Sequence, residues 1–159
     1  MRSFSILGDS ISTFDGCNPD GFAVYYQGER CEQTSVTSSA DTWWSQVIER
    51  LGGRLLANSS FSGSLVEGAG FPAGNSQKRI DALAEDGVQP DVVIVFMGIN
   101  DYGWGGATAQ AAGRGNAVPV ALDLDAIEPH APAAAAPGAI DRFRAAYGLL
   151  LERMRAAYP

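Results

Sequence analysis

Asp91-Val92-Val93-Ile94-Val95-Phe96-Met97-Gly98-Ile99-Asn100-Asp101 is the stretch that decides the fold. From Val92 to Met97 every side chain is apolar. A strand of that kind is expected to be buried on both faces, as in a parallel sheet covered by helices. The run stops at Gly98, and polar Asn100 and Asp101 follow at once.

Towards the N-terminus, residues 75–86 predict a helix with Ile80, Leu83 and Ala84 facing inward, closed by Gly87 and Pro90. Residues 54–58 predict a strand, and 59–74 are rich in Ser and Gly. Residues 41–51 predict a helix: Trp43 and Val47, then Trp44, Ile48 and Leu51, recur at spacings of three and four. Asp41 is its expected N-cap and Gly52 its stop. The two tryptophans read as core packing rather than as a ligand platform. Residues 10–40 are polar, broken by Gly, Asn, Pro and Ser, and lack periodicity. A loop of that length in a compact domain points to function. Phe4 to Leu7 predict the first strand, ending at Gly8.

Towards the C-terminus, 103–138 read as an inserted loop. Between Ala107 and Ala139, 13 of 33 residues are Ala, interrupted by Gly and Pro. Ile140, Phe143, Tyr147, Leu150 and Met154 then recur at helical spacing. Strand and helix therefore alternate, which predicts an α/β sandwich built on a parallel sheet. Ligand sites in such sheets lie beyond the carboxyl ends of the strands. Here those ends are Gly8-Asp9-Ser10, residues 58–63, and Gly98-Ile99-Asn100-Asp101.

The 159 residues suit one domain spanning 1–159. Eighteen acidic residues against eleven basic ones give a formal charge of −7, which disfavours a nucleic-acid partner. No apolar run approaches the roughly 20 residues of a membrane span. The first residues lack a signal peptide's apolar region, so a cytoplasmic location is expected. Cys17 and Cys31 do not form a disulfide framework; free thiols are expected, with a single bridge as the alternative.

Taken singly, the three strand-end segments read equally well as turns. Together they fit acyl transfer, which needs a nucleophile and donors aimed at the oxygen that becomes negative. Ser10 Oγ is the candidate nucleophile. The Ser10 N–H, the Gly63 N–H and the Asn100 amide make a candidate three-donor oxyanion hole. Glycine at 63 lets the backbone approach a substrate closely. Asparagine at 100 supplies an uncharged NH₂, whereas aspartate would repel the oxyanion.

Gly8-Asp9-Ser10, Gly63 within Asn58-Ser59-Ser60-Phe61-Ser62-Gly63-Ser64, and Gly98-Ile99-Asn100-Asp101 resemble, in order, the first three conserved blocks of the SGNH (GDSL-type) hydrolases. The resemblance implies a three-layer flavodoxin-like sandwich and hydrolysis of acyl esters, with no metal or organic cofactor. It also implies Ser10 as nucleophile, with Gly63 and Asn100 completing the oxyanion hole. Asp9, Asp101, Tyr102 and Trp104 are expected to contact substrate, a small-molecule or carbohydrate ester carrying a short acyl group. Tyr25 and Tyr26 are placed either at the other side of that pocket or in local loop packing.

The family's base is a histidine three residues after an aspartate, and no Asp-x-x-His occurs here. The sole histidine, His130, stands in an Ala/Pro-rich segment, a poor support for a base that must keep hydrogen-bond reach. The expectation is therefore a sheet without its last strands. A C-terminal fragment or a second chain would complete it and supply the Asp and His. A non-catalytic binding module on the same fold is the first alternative. A phosphate binder ranks last, since no G-x-G-x-x-G follows the first strand.

Overall fold

The computed structural model describes residues 1–101 and 138–159. The 103–138 insertion, Tyr102, Trp104 and His130 lie outside the described residues, apart from Gly138. Three strands, β1 (Ser3–Gly8), β2 (Arg54–Ser60) and β3 (Val92–Phe96), form one sheet in the order β2-β1-β3. Both pairings are parallel, with a register shift between Phe4 and Ser5 on the β2 side. Four helices accompany them among the described residues: α1 (Glu29–Thr34), α2 (Trp43–Arg50), α3 (Gln77–Asp81) and α4 (Ala139–Ala157).

Strand alternation divides the core into two layers. Phe4 and Ile6 of β1 pack with Trp44 and Ile48 of α2, joined by Val92 and Ile94 of β3. On the other face Leu7 packs with Val66, Leu83, Ala146 and Leu150, joined by Val93, Val95, Met97, Phe143 and Tyr147. The result is helix, sheet, helix, the α/β layering that the alternation of elements predicts. Helix α4 is braced against α3 by the Tyr158 hydroxyl, which donates to the Ile80 carbonyl (2.6 Å). Arg153 also donates to the Asn75 carbonyl.

Several elements differ from expectation, each for a local reason. The long polar stretch 10–40 carries structure of its own: 3-10 turns at Ser10–Ser12 and Ser39–Asp41, and α1 between them. Thr42, not Asp41, caps α2, its hydroxyl accepting from the Ser45 N–H (3.4 Å). Asp41 instead closes a capping box with Ser38 one turn earlier. Helix α3 is shorter than 75–86. After Asp81 the backbone tightens to i→i+3 bonds such as Leu83 N–H to the Ile80 carbonyl (3.0 Å), and Glu85 and Val88 close a turn. Ile80 and Leu83 are buried as expected, while Ala84 is half-buried.

β3 is the main departure. Among the described residues it pairs only with β1 and forms a sheet edge. Its residues are half-buried rather than enclosed on both faces, and Phe96 is 46% exposed, leaning on Trp43 at 5.0 Å. No helix among the described residues is long and apolar enough to cross a membrane. Both cysteines are free thiols.

Gly8 ends β1 where there is no room for a side chain. A Cβ there would lie 2.4 Å from Ser12 Cβ and 2.6 Å from Ser60 Oγ. Gly8→Ala is therefore expected to destabilise the protein by about 1–3 kcal/mol through overpacking. Equilibrium urea unfolding measures this, and an unchanged midpoint would show that the two serines yield without strain.

Candidate active site

The register of the sheet sets the site. Gly8 pairs with Ser60 on one side and with Phe96 on the other. The three carboxyl ends are therefore level, on strands roughly 4.8 Å apart. Ser10 follows Gly8 by two residues, Gly63 follows Ser60 by three, and Asn100 follows Phe96 by four. Parallel pairing thus delivers all three sequence-predicted residues to one edge of the sheet.

Ser10 opens a 3-10 turn and is partly exposed. Asp9 caps that turn, its carboxylate accepting from the Ile11 N–H (3.3 Å). The Ser10 carbonyl accepts from the Thr13 hydroxyl (2.7 Å), which in turn accepts from the Tyr25 N–H (2.8 Å). Ser12 fastens the far end of the turn. Its carbonyl accepts from the Trp44 indole (3.1 Å) and from Asn58 Nδ2 (2.9 Å), and its hydroxyl accepts from the Trp43 indole (3.3 Å). Trp44 is a core residue and Trp43 packs, half-buried, against the same cluster, and both aim their indole N–H at the candidate nucleophile's turn. Buried indole N–H groups require partners, which is the signal that their pairing in the sequence offered.

Gly63 has φ +75°, a conformation that side-chain-bearing residues avoid. Past it the chain is clamped by Asp101. That carboxylate accepts from the Val66 N–H through both oxygens (3.1 and 2.9 Å) and from the Glu67 N–H (3.0 Å). Asn100 is buried, and its Nδ2 donates to the Ser64 carbonyl (3.0 Å). One amide hydrogen fixes the side chain, and the other has no partner among the described residues. Asp9 and Asp101, expected at the substrate, have their carboxylates on backbone N–H groups of this scaffold. Tyr25 and Tyr26 pack edge-to-face at 5.0 Å, with the Arg30 guanidinium 4.4 Å over Tyr25.

Arg79 has no counterpart in the sequence reading. It is fully buried and donates four hydrogen bonds. Nη2 reaches the Gly8 carbonyl (2.7 Å) and the Ser59 carbonyl (2.6 Å); Nη1 reaches Ser64 Oγ (3.0 Å) and the Pro72 carbonyl (2.9 Å). Its guanidinium lies 4.9 Å from the Phe61 ring centroid. Burial draws its pKa down to about 9 against the attraction of Asp9, so it stays cationic at neutral pH. Burial pushes the Asp9 carboxyl up to about 6. The Ile11 N–H and Arg79 oppose that rise, and Asp101 adds to it. Burial raises Asp101 as well.

The Asp9 shift has a definite sign in stability. Its folded pKa lies above the unfolded one, so the folded state binds the proton more tightly. The charged form carries a penalty that is absent below about pH 4 and complete above about pH 6, roughly 3 kcal/mol for a rise from 3.8 to about 6. Asp9→Asn preserves a capping oxygen and removes the titration. Relative to the parent, this variant is expected to gain thermal stability as pH rises from 4 to 7. Melting curves across that range check it, and a pH-independent difference would mean that Asp9 titrates as an ordinary carboxyl.

Comparison with known proteins agrees with this architecture. The family model described as GDSL-like lipase/acylhydrolase matches residues 2–118. A protein from Bacteroides ovatus assigned as a GDSL-like lipase is 31% identical, with a TM-score of 0.64, over 100% of this chain and 69% of its own. One from Bacteroides uniformis with the same assignment is 27% identical, with a TM-score of 0.62, over 100% of this chain and 67% of its own. No curated protein matches the chain significantly. A parallel sheet that levels three family blocks at one edge, together with a family match across most of the length, places this chain in the GDSL-like lipase/acylhydrolase family of hydrolases.

Proposed function

We propose that the protein is a serine esterase that cleaves acyl esters through an acyl-Ser10 intermediate. The observation that supports this most directly is the meeting of Ser10, Gly63 and Asn100 at the carboxyl edge of β2-β1-β3. Ser10 Oγ attacks the ester carbonyl while a base takes its proton, and the tetrahedral oxyanion forms. The Ser10 N–H, the Gly63 N–H and the second Asn100 amide hydrogen receive that charge. Collapse expels the alcohol, which takes up the proton. Water then repeats the sequence on the acyl-serine and frees the acid. No step requires a metal or organic cofactor.

The substrate class in this reading is a short acyl ester, as on a carbohydrate or another small alcohol. The base is a histidine held by an aspartate, supplied by polypeptide other than these 159 residues. Two features support that part. The sequence contains no Asp-x-x-His. Among the described residues β3 also presents an open edge, with Phe96 and Ile99 about half exposed, where further strands would pair.

Three variants test the reading in the assembled protein. Ser10→Ala is expected to abolish aryl-ester turnover and fluorophosphonate labelling, with stability changed no more than by a surface substitution. Asn100→Ala is expected to lower kcat by on the order of 10²–10³, the loss of one preorganised donor. Labelling that persists in Ser10→Ala would overturn the mechanism, and a parent protein that never labels would favour a binding module on this fold. His130→Ala is expected to leave activity unchanged; its loss in a folded variant would make His130 the base.

A further inference from the structure

One side chain joins all three blocks of the site. The Arg79 guanidinium holds the Gly8 carbonyl, two residues before Ser10. It holds the Ser59 carbonyl at the end of β2 and the Ser64 hydroxyl just past Gly63. The Ser64 carbonyl in turn accepts from Asn100 Nδ2. A fourth bond, to the Pro72 carbonyl, ties in the loop that returns to α3. The nucleophile's strand, the Gly63 loop and the asparagine are therefore referenced to a single rigid planar fork.

We propose that Arg79 is the positioning residue of this site, setting the spacing of the three oxyanion donors through the Gly8 carbonyl and Ser64. The proposal rests on the esterase reading above. A purely structural account needs the guanidinium only to satisfy buried carbonyls; it does not need the bond to Ser64 Oγ, which ties the fork to the Gly63 loop and, through the Ser64 carbonyl, to Asn100. The four bonds go to strand-end and loop acceptors, none to the packed helices or the sheet interior. Oxyanion donors act in the transition state and not on the bound ester, so misplacing them lowers kcat and leaves KM nearly alone. A loss of global stability alone would move neither for the folded fraction. Lysine keeps the charge but cannot span four acceptors with a planar fork, which separates geometry from electrostatics.

The experiment uses the assembled protein with p-nitrophenyl acetate, comparing the parent with Arg79→Lys, Arg79→Met and Ser64→Ala. Arg79→Lys is expected to lower kcat by at least about tenfold with KM within about twofold. Asn100→Ala placed on that background is expected to cost less than about threefold further, because the donor is already displaced. Amide exchange is expected to accelerate in residues 8–13 and 63–67 and not along the β1–β2 pairing. Parental kcat in Arg79→Lys, a rise in KM alone, or the full Asn100→Ala loss on the lysine background would overturn the proposal. Should both Arg79 variants fail to fold, Ser64→Ala decides: it removes one of the four acceptors and must show the same kcat loss at unchanged KM. A parent protein that neither turns over ester nor labels at Ser10 would sink the esterase reading and this one with it. Parental turnover that Arg79→Lys leaves intact would sink this one alone.

Discussion

The Arg79 guanidinium is buried beneath the loops that carry the family's residues, and its four hydrogen bonds end on backbone carbonyls and one serine hydroxyl. Taking a cation out of water costs several kcal/mol even after relaxation, and only a well-satisfied set of acceptors offsets it. The acceptors here come from β1, β2 and two stretches of the following loop, so the charge is stable only where those segments meet. The converse follows: each of those carbonyls is a buried acceptor that would be orphaned if the guanidinium left. Arrangement and cation depend on each other.

Electrostatics around that cation are uneven. Asp9 is the acidic group that acts on it, and burial raises the pKa of Asp9 and of Asp101 alike. For Asp9, attraction to Arg79 offsets desolvation only in part. The pair therefore does not act as a strong ion bridge, and its influence is felt through orientation: Asp9 caps the turn of Ser10, and Asp101 grips the Val66 and Glu67 amides. Two carboxylates on N–H groups, one guanidinium on carbonyls and a serine hydroxyl, and two indoles on Ser12 make a scaffold in which most buried polar groups are paired; Arg79 Nε and Ser62 Oγ are buried without a partner among the described residues. The bonds that are made hold the turn of Ser10 and the Gly63 loop in one arrangement, and preorganised donors are what oxyanion stabilisation requires.

The sheet contributes level strand ends, and level ends follow from parallel pairing in register. Were β2 antiparallel to β1, its following loop would lie at the opposite edge, and Gly63 could not share a site with Ser10. The side of β3 that is unpaired among the described residues belongs to the same geometry. Phe96 and Ile99 stand about half exposed beside Asn100, so any element that pairs there also borders the site.

Strand and helix types were legible in the sequence because periodicity records burial. The 3–4 spacing of 43–51 and 140–154, the unbroken apolar run from Val92 and the strand-end Gly, Ser and Asn identified the layers, the sheet type and the edge bearing the chemistry. Helix ends were less legible. Thr42 and Asp41 are both capping residues, and the choice between them was made by a 3-10 turn that no local pattern announces. The half-exposure of β3 was also hidden, since an apolar run states what a strand tolerates and not how many neighbours it has. Arg79 was the largest omission. An arginine beside Ile80 on a short helix looks like a solvated face, and nothing nearby in the chain marks it as buried. Its acceptors lie at Gly8, Ser59, Ser64 and Pro72, up to 71 positions away. By itself the sequence determined the α/β layers and the residue types at the strand ends, because those depend on local spacing. Only the tertiary structure decided that a buried cation joins them, because its partners are brought together by parallel pairing across the whole sheet.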